Sequence, residues 1–314
     1  MNLNQTVQYL TIDAEQVGQR LDNWLMARLK GVPKSKIYRI IRKGEVRVNK
    51  ARVKPEYRVL AGDIVRVPPI RVSQTTPVVQ PHQKVLKELE QSILYEDNQL
   101  LVLNKPAGLA VHGGSGISYG VIEGLRKLRP DCKGLELVHR LDRDTSGCLL
   151  VAKRRSMLRY LHEIIRQGNI DKIYRTVVLG RWPKRRQQIA APLRKNEPRA
   201  GERIVKVDPQ GKQALTEFTV LEYYPEVTLV QAKPITGRTH QIRVHAQYAG
   251  HPIVGDEKYG DFAINRQLKA VGFNRLCLHA AQLSFDLPDG TPFYVEAPLP
   301  ESILQPLTQL KSNS

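Results

Sequence analysis

Apolar residues first recur at helical spacing. Leu21, Trp24, Leu25, Ala27 and Leu29, with Arg28 among them, predict a short amphipathic helix. Lys34–Lys43 predicts a second, with Ile37, Ile40 and Ile41 on its buried stripe and Ser35, after Pro33, placed to cap it. Gly44 ends that helix, and Val46, Val48 and Val53 predict a hairpin turning at Asn49-Lys50. A turn over 59–63 and a strand over 64–67 complete the unit.

The pattern then changes. No acidic residue lies between Ile64 and Lys87, and Pro68, Pro69, Pro77 and Pro81 break any periodicity, which predicts a linker. Beyond it strand-like runs dominate: 100–103, 148–152, 173–179, 215–222, 227–232, 276–285 and 293–296. Two amphipathic helices interrupt them, over 156–167 and 239–248. Strands outnumber helices without regular βαβ alternation, so the expected class is α+β, with a mixed, largely antiparallel sheet. The expected boundaries are a tail over 1–15, a small module over 16–72, a linker over 73–88, a large domain over 89–302 and a frayed tail over 303–314.

Charge separates the two parts further. The 314 residues carry 49 Lys and Arg against 30 Asp and Glu, a net charge of +19, and residues 1–72 hold +9 of it. A field of that sign captures polyanions, so nucleic acid is the expected partner. Lys34, Lys36, Arg39, Arg42 and Lys43 fall on the exposed face of the second helix and are its candidate RNA contacts. No run reaches the roughly eighteen apolar residues of a membrane span. The opening MNLNQTVQYLTID also lacks the regions of a signal peptide. Cys132, Cys148 and Cys277 are too scattered for a disulfide framework or zinc site, so a cytoplasmic protein is expected, without metal.

Two segments crowd polar residues into apolar surroundings. Residues 138–147, Val-His-Arg-Leu-Asp-Arg-Asp-Thr-Ser-Gly, run into a buried strand, an arrangement that suits a site or, equally, a loop whose Asp142 and Asp144 satisfy backbone amides. On an extended segment those two carboxylates would point the same way. Residues 236–245, Thr-Gly-Arg-Thr-His-Gln-Ile-Arg-Val-His, place His240 and Arg243 on one helical face. Basic side chains at a helix start oppose its dipole, so an anionic partner is expected there, a protein carboxylate or an RNA phosphate. The alternative is a solvated helix face. Gly108, Gly113, Gly114 and Gly116 lack the Lys-Ser or Lys-Thr of a phosphate-binding loop and read as a turn beside His112.

The strings His139-Arg140-Leu141-Asp142 through Gly147 and Thr236 through His245 resemble the signature motifs of the RluA-type pseudouridine synthases. The basic module resembles an S4 RNA-binding domain through Arg20-Leu21-Asp22 and Gly44 to Asn49, and the pairing is similar to the RluC-like branch that modifies large-subunit ribosomal RNA. The likeness covers roughly Val17 to Pro300. It implies that Asp142 is the essential carboxylate, that Arg243 is its ion-pair partner, and that Tyr174, in Lys172-Ile173-Tyr174, is the conserved tyrosine. Arg140 is implied to hold the RNA open around a flipped base, Leu278 to pack beneath Asp142 and Tyr174, and Asp144 to be structural. Arg175-Thr176 depart from the smaller apolar residues of the family pattern after that tyrosine. The resemblance implies isomerisation of several uridines in 23S rRNA, a reaction whose chemistry needs no cofactor; a monomer without an obligatory protein partner is the default expectation. A non-catalytic RNA-binding protein is the first rival reading, disfavoured because a binder has no need of Asp142, Tyr174 and Arg243 together. A metal-independent hydrolase using Asp142 and Asp144 is the second.

Overall fold

The computed structural model describes residues 6–29, 31–70, 83–113, 119–183, 185–195 and 204–312. The chain divides into two units, Met1–Val79 and Gln80–Ser314.

In the first unit, β1 (Gln8–Thr11), α1 (Leu21–Arg28), α2 (Lys34–Arg42), β2 (Arg47–Val48) and β3 (Ile64–Val67) follow in order, with a 3-10 turn at Ala14–Gln16. The three strands form an antiparallel sheet in the order β1-β3-β2. Trp24, Leu25, Ile37, Ile40, Ile41, Val48 and Val65 fill one core beneath it. The hairpin turns where the valine pattern predicts: Asn49 and Lys50 both take positive φ, and Val48 bridges Ala51. The expected N-terminal tail instead supplies β1 and the buried Ile12, a strand too short for its alternation to show in sequence. Ser35 does not cap α2, because Pro33 occupies the cap position and no side chain bonds the free amides.

The second unit is built on one ten-stranded sheet. In chain order it contains α3 (Gln83–Gln91), β4 (Ile93–Glu96), β5 (Leu100–Lys105), α4 (Val121–Leu128), β6 (Glu136–Leu137), β7 (Ser146–Ala152), α5 (Arg155–Gln167), β8 (Asp171–Leu179), β9 (Arg186–Ala190), β10 (Leu193–Lys195) and β11 (Val205–Val207). There follow β12 (Leu215–Tyr223), β13 (Val227–Pro234), α6 (Gln241–Tyr248), α7 (Phe262–Ala270), β14 (Leu278–Asp286), β15 (Pro292–Glu296) and α8 (Glu301–Ser312). The sheet runs β4-β5-β7-β14-β8-β13-β12-β9, with β15 on β14 and β6 on β7, while β10 and β11 form a separate pair. Every ladder is antiparallel except β7–β14, so the class is α+β with a mixed sheet.

The continuous apolar runs of β5 and β7 have a simple cause: both faces are covered. Leu100, Val102, Cys148 and Leu150 face Met157, Leu161 and Ile164 of α5. Their neighbours Leu101, Leu103, Leu149 and Val151 face Leu89 of α3 and Val121, Ile122 and Leu125 of α4. A third core joins β8, β12 and β13 to α6, α7 and α8. At the parallel junction Ser146 and Gly147 pair with His279 and Ala280. Gly147 has φ +106°, and a Cβ there would overlap the Ala280 carbonyl, so only glycine lets the strands close next to the 139–145 loop.

Two expectations about the chain's margins are corrected. The expected linker over 73–88 lies partly outside the described residues, and its end, from Gln83, is the start of α3, whose Leu89 is fully buried. The expected frayed end over 303–314 is largely α8, with Ile303, Leu307 and Leu310 docked in the third core. Its polar spacing hid a one-sided apolar stripe. No helix among the described residues is long and apolar enough to cross a membrane.

Because Leu307 is 2% exposed, Leu307→Ala should destabilise the second unit by about 3 kcal/mol, measured by urea unfolding. A loss below about 0.5 kcal/mol would mean that α8 does not dock.

Candidate active site

A cleft of about 480 Å³ opens in the second unit between the 139–145 loop, the first half of β8, the loop after β13, the start of α6 and the first residue of β14. Asp142, Tyr174, Arg243, Arg140 and Leu278, which are far apart in sequence, all line it. Lys36, Arg39, Arg42 and Lys43 belong to α2 of the other unit, where Arg39, Arg42 and Lys43 are exposed and Lys36 is half-buried.

The 139–145 loop is tied down on several sides. The Leu150 amide donates to His139 Nε2 at 3.1 Å, and burial pushes that imidazole down to about 4, so it is a neutral acceptor at physiological pH. Lys105, fully buried, donates from Nζ to the carbonyls of Pro106, Leu109 and Arg143 at 2.8, 2.8 and 2.9 Å. Burial pulls this ammonium down to about 7, against the pull of Asp144 and Asp142. The Thr145 amide closes a turn onto the Asp142 carbonyl, and Arg275 anchors Ser146 Oγ at 2.7 Å. The segment is therefore turned, not extended. Asp142 faces the cleft while Asp144 pairs outward with the exposed Arg143 at 3.1 Å, and the two carboxylates form no dyad.

Arg243 comes from α6, which starts at Gln241, two residues later than the spacing predicts, because His240 takes a left-handed backbone with φ 53°. The side chain of Gln241 holds the turn, accepting from Thr236 Oγ1 and the Arg238 amide and donating to the Leu215 carbonyl and Thr216 Oγ1. Residues 241–246 are buried, which removes the solvated-face alternative. The anionic partner expected at this helix start is two protein carboxylates. Arg243 Nε and Nη2 clamp Asp256 at 2.7 and 2.8 Å, and Nη1 reaches Asp142 Oδ2 at 3.2 Å.

Asp256 is the residue that sequence reading missed. Burial alone would raise its pKa, but the Arg243 fork, the guanidinium charge and the amides of Tyr259 and Lys258 outweigh that and hold the carboxyl below its usual range. Gly255, at φ +73°, lets the chain pass where a Cβ would overlap the Arg275 carbonyl. The acidic pair Asp256-Glu257, one glycine after the apolar run Pro252-Ile253-Val254, was the available signal, and it does not say which acid turns inward.

Tyr174, half-buried on β8, packs against the core cluster that contains Leu278. Burial first, and then the Asp142 charge, raise its phenol well above the ordinary range. Lys172, two residues earlier on the same strand, also lines the cleft and is held below the usual lysine range by burial. Arg140 is exposed at the rim, and His240 sets Nε2 3.6 Å from Asp142 Oδ2. Among the described residues, no group of three His, Cys, Asp or Glu side chains is arranged to hold a metal ion.

Asp256→Asn leaves a buried guanidinium with half its countercharge, and should cost about 3 kcal/mol at pH 7. A depressed carboxyl contributes stability that is present above its unfolded value, about 4, and lost as pH falls through the lower folded value. The gap between wild type and variant in urea unfolding should therefore be full at pH 6–7 and shrink below about pH 4. A gap independent of pH would show that the Asp256 charge is not what stabilises the site.

Comparison with known proteins identifies the family. The family model described as RNA pseudouridylate synthase matches residues 99–248, and the S4 domain model matches residues 19–65. The chain is 57% identical to the ribosomal large subunit pseudouridine synthase C of Pasteurella multocida (strain Pm70), over 99% of this chain and 97% of that protein. It is 55% identical to the protein of the same name in Escherichia coli (strain K12), over 98% of each. The solved structure of human RNA pseudouridylate synthase domain containing 4 superposes with a TM-score of 0.61 at 28% identity, covering 73% of this chain and 96% of that one. With an S4 domain in front and this fold around the Asp142–Arg243 pair, the chain belongs to the RNA pseudouridylate synthase family and is an RNA pseudouridine synthase.

Proposed function

We propose that this enzyme converts several uridines of 23S rRNA, in the large ribosomal subunit, to pseudouridine, with Asp142 acting on the sugar–base bond. Relatives named for the large ribosomal subunit and matched along nearly their whole length support the substrate. The observation that carries the chemistry is the Asp142 carboxylate held in the cleft by a guanidinium that is itself clamped by Asp256.

Isomerisation breaks the bond from C1′ to N1 of uracil, turns the base and forms a bond from C1′ to carbon 5. A proton then leaves carbon 5 and N1 gains one, so no atom or electron is exchanged with a cofactor. The uridine must leave the stack to reach the cleft, and Arg140 at the rim is placed to fill the gap. The Asp142 carboxylate acts at the anomeric centre as the base departs. Arg243 aims that carboxylate while clamping Asp256, which the planar two-sided fork of arginine does and a lysine ammonium cannot. Tyr174 stacks on the turned base with Leu278 behind it. Its raised phenol is protonated at neutral pH, so it takes the carbon-5 proton only as it passes its own onward. Exposed Arg39, Arg42 and Lys43, with Lys36, supply phosphate contacts from the S4 unit.

Asp142→Asn keeps the shape and removes the charge. Turnover on large-subunit rRNA should fall by several orders of magnitude with RNA affinity within about tenfold, whereas Asp144→Asn should lose far less. Pseudouridine formation by Asp142→Asn at a rate near wild type would overturn the mechanism. Tyr174→Phe should retain affinity but slow tritium release from 5-tritiated uridine by about a hundredfold. Replacing Arg39, Arg42 and Lys43 by alanine should lower the slope of log affinity against log salt by roughly 0.7–0.9 for each phosphate that is no longer neutralised. An unchanged slope would remove α2 from the RNA-binding surface.

A further inference from the structure

We infer that His240 is a positioning residue for Asp142: a hydrogen-bond chain from the backbone of β11 holds it as the neutral Nε2–H tautomer, with that N–H turned to the carboxylate. The inference rests on the reading that Asp142 performs the chemistry, and it assigns the group that orients it from the side opposite in chemistry to Arg243, a neutral donor beside a charged one.

Three non-glycine residues among those described have positive φ. Asn49 and Lys50 are accounted for by the hairpin they turn. His240 is not in a hairpin, and its left-handed backbone is unfavourable for a residue with a Cβ. Strain of this kind persists where the surroundings demand a particular side-chain position. Here the ring is fixed at both nitrogens. Nδ1 lies 2.7 Å from the Tyr259 hydroxyl, and Nε2 lies 3.6 Å from Asp142 Oδ2, with the His240 and Tyr259 rings edge to face at 5.5 Å.

The proton positions follow from counting donors. The Tyr259 hydroxyl oxygen accepts the Val205 amide at 3.0 Å, so its own proton remains to be donated. Tyr259 is 3% exposed, and an unused hydroxyl proton there would be buried without a partner. His240 Nδ1 is its acceptor, which requires Nδ1 to be bare. The groups facing the imidazole are Asp142 and Asp256, which favour a charged ring, and Arg243 and Lys258, which oppose it. Burial adds to the opposition and holds the ring below the ordinary histidine range. A neutral ring with a bare Nδ1 carries its proton on Nε2. The other tautomer would aim a lone pair at a carboxylate and strand the phenol proton.

The consequence is an asymmetric carboxylate. Arg243 Nη1 and His240 Nε2 both converge on Oδ2, and among the described residues nothing donates to Oδ1. At 3.6 Å the histidine contact is a dipole aimed at a charge, longer than a hydrogen bond. One hydrogen bond and one aimed dipole on the same oxygen orient the group about that atom and leave the other oxygen to work on the sugar.

Nitrogen-15 NMR of the full-length enzyme labelled at histidine tests the tautomer without any turnover. At pH 7.5 the imidazole signal that disappears in His240→Gly should show a protonated Nε2 and a bare Nδ1, and in Tyr259→Phe it should move toward Nδ1–H or imidazolium. His240→Gly keeps the left-handed backbone freely and removes only the ring. Its single-turnover rate on large-subunit rRNA should fall about tenfold or more with RNA affinity unchanged, and His240→Gln, which restores an N–H near the Nε2 position, should recover part of that loss. A wild-type signal with Nδ1 protonated would overturn the assignment, and so would a His240→Gly enzyme at full rate. An active Asp142→Asn enzyme would instead sink the reading of the whole site, whatever the tautomer.

Discussion

A guanidinium shared between two carboxylates is the constraint around which the second unit is organised. Arg243 is 9% exposed, and a buried cation of this kind is tolerable only with excellent geometry and full hydrogen bonding. Asp256 meets the fork with both oxygens and is itself satisfied by two backbone amides, so that pair is structurally complete. The third contact, to Asp142, is longer and the carboxylate there is half-exposed. The cluster thus has a closed end that supports the fold and an open end that faces the cleft, with one excess negative charge.

Meeting that constraint draws in elements far apart in the chain. Asp256 sits where it does because Gly255 can pass the Arg275 carbonyl and because Asn265 of α7 bonds both the Gly255 amide and the Asp256 carbonyl. Asp142 sits where it does because Gly147 lets β7 lie parallel against β14, while Lys105 gathers three carbonyls, including that of Arg143, around one ammonium. Strands β5 and β7 are buried on both faces by α3, α4 and α5, so these anchors hang on a rigid frame. Other positive charge is held less tightly: Arg39 and Arg42 of α2 and Arg140 are exposed, whereas Arg243 is clamped in the cleft.

The two-part organisation, the α+β class, the hairpin at Asn49-Lys50, the main strands and the two polar segments that form the site were all legible in the order of residues. Those features are local: period-2 and period-3.6 patterns, turn residues, and short stretches where charge interrupts an apolar run. The short strands β1, β10 and β11 and the helix α8 were not legible, since their pattern spans too few residues or mixes polar positions into the buried stripe. Which carboxylates meet Arg243 depends on long-range packing. Asp256 carries no motif beyond standing first of two acids shortly after an apolar run, and the bend that turns Asp144 outward depends on the Lys105 and Gly108 bonds to the Arg143 carbonyl. The left-handed backbone at His240, which delays the start of α6, likewise depends on long-range contacts: Gln241 bonds strand β12, and the His240 ring is held between Tyr259 and Asp142. Pairings between residues a hundred positions apart cost chain entropy that no local pattern records. They exist because a buried charge must find its partners wherever the packed sheet brings them.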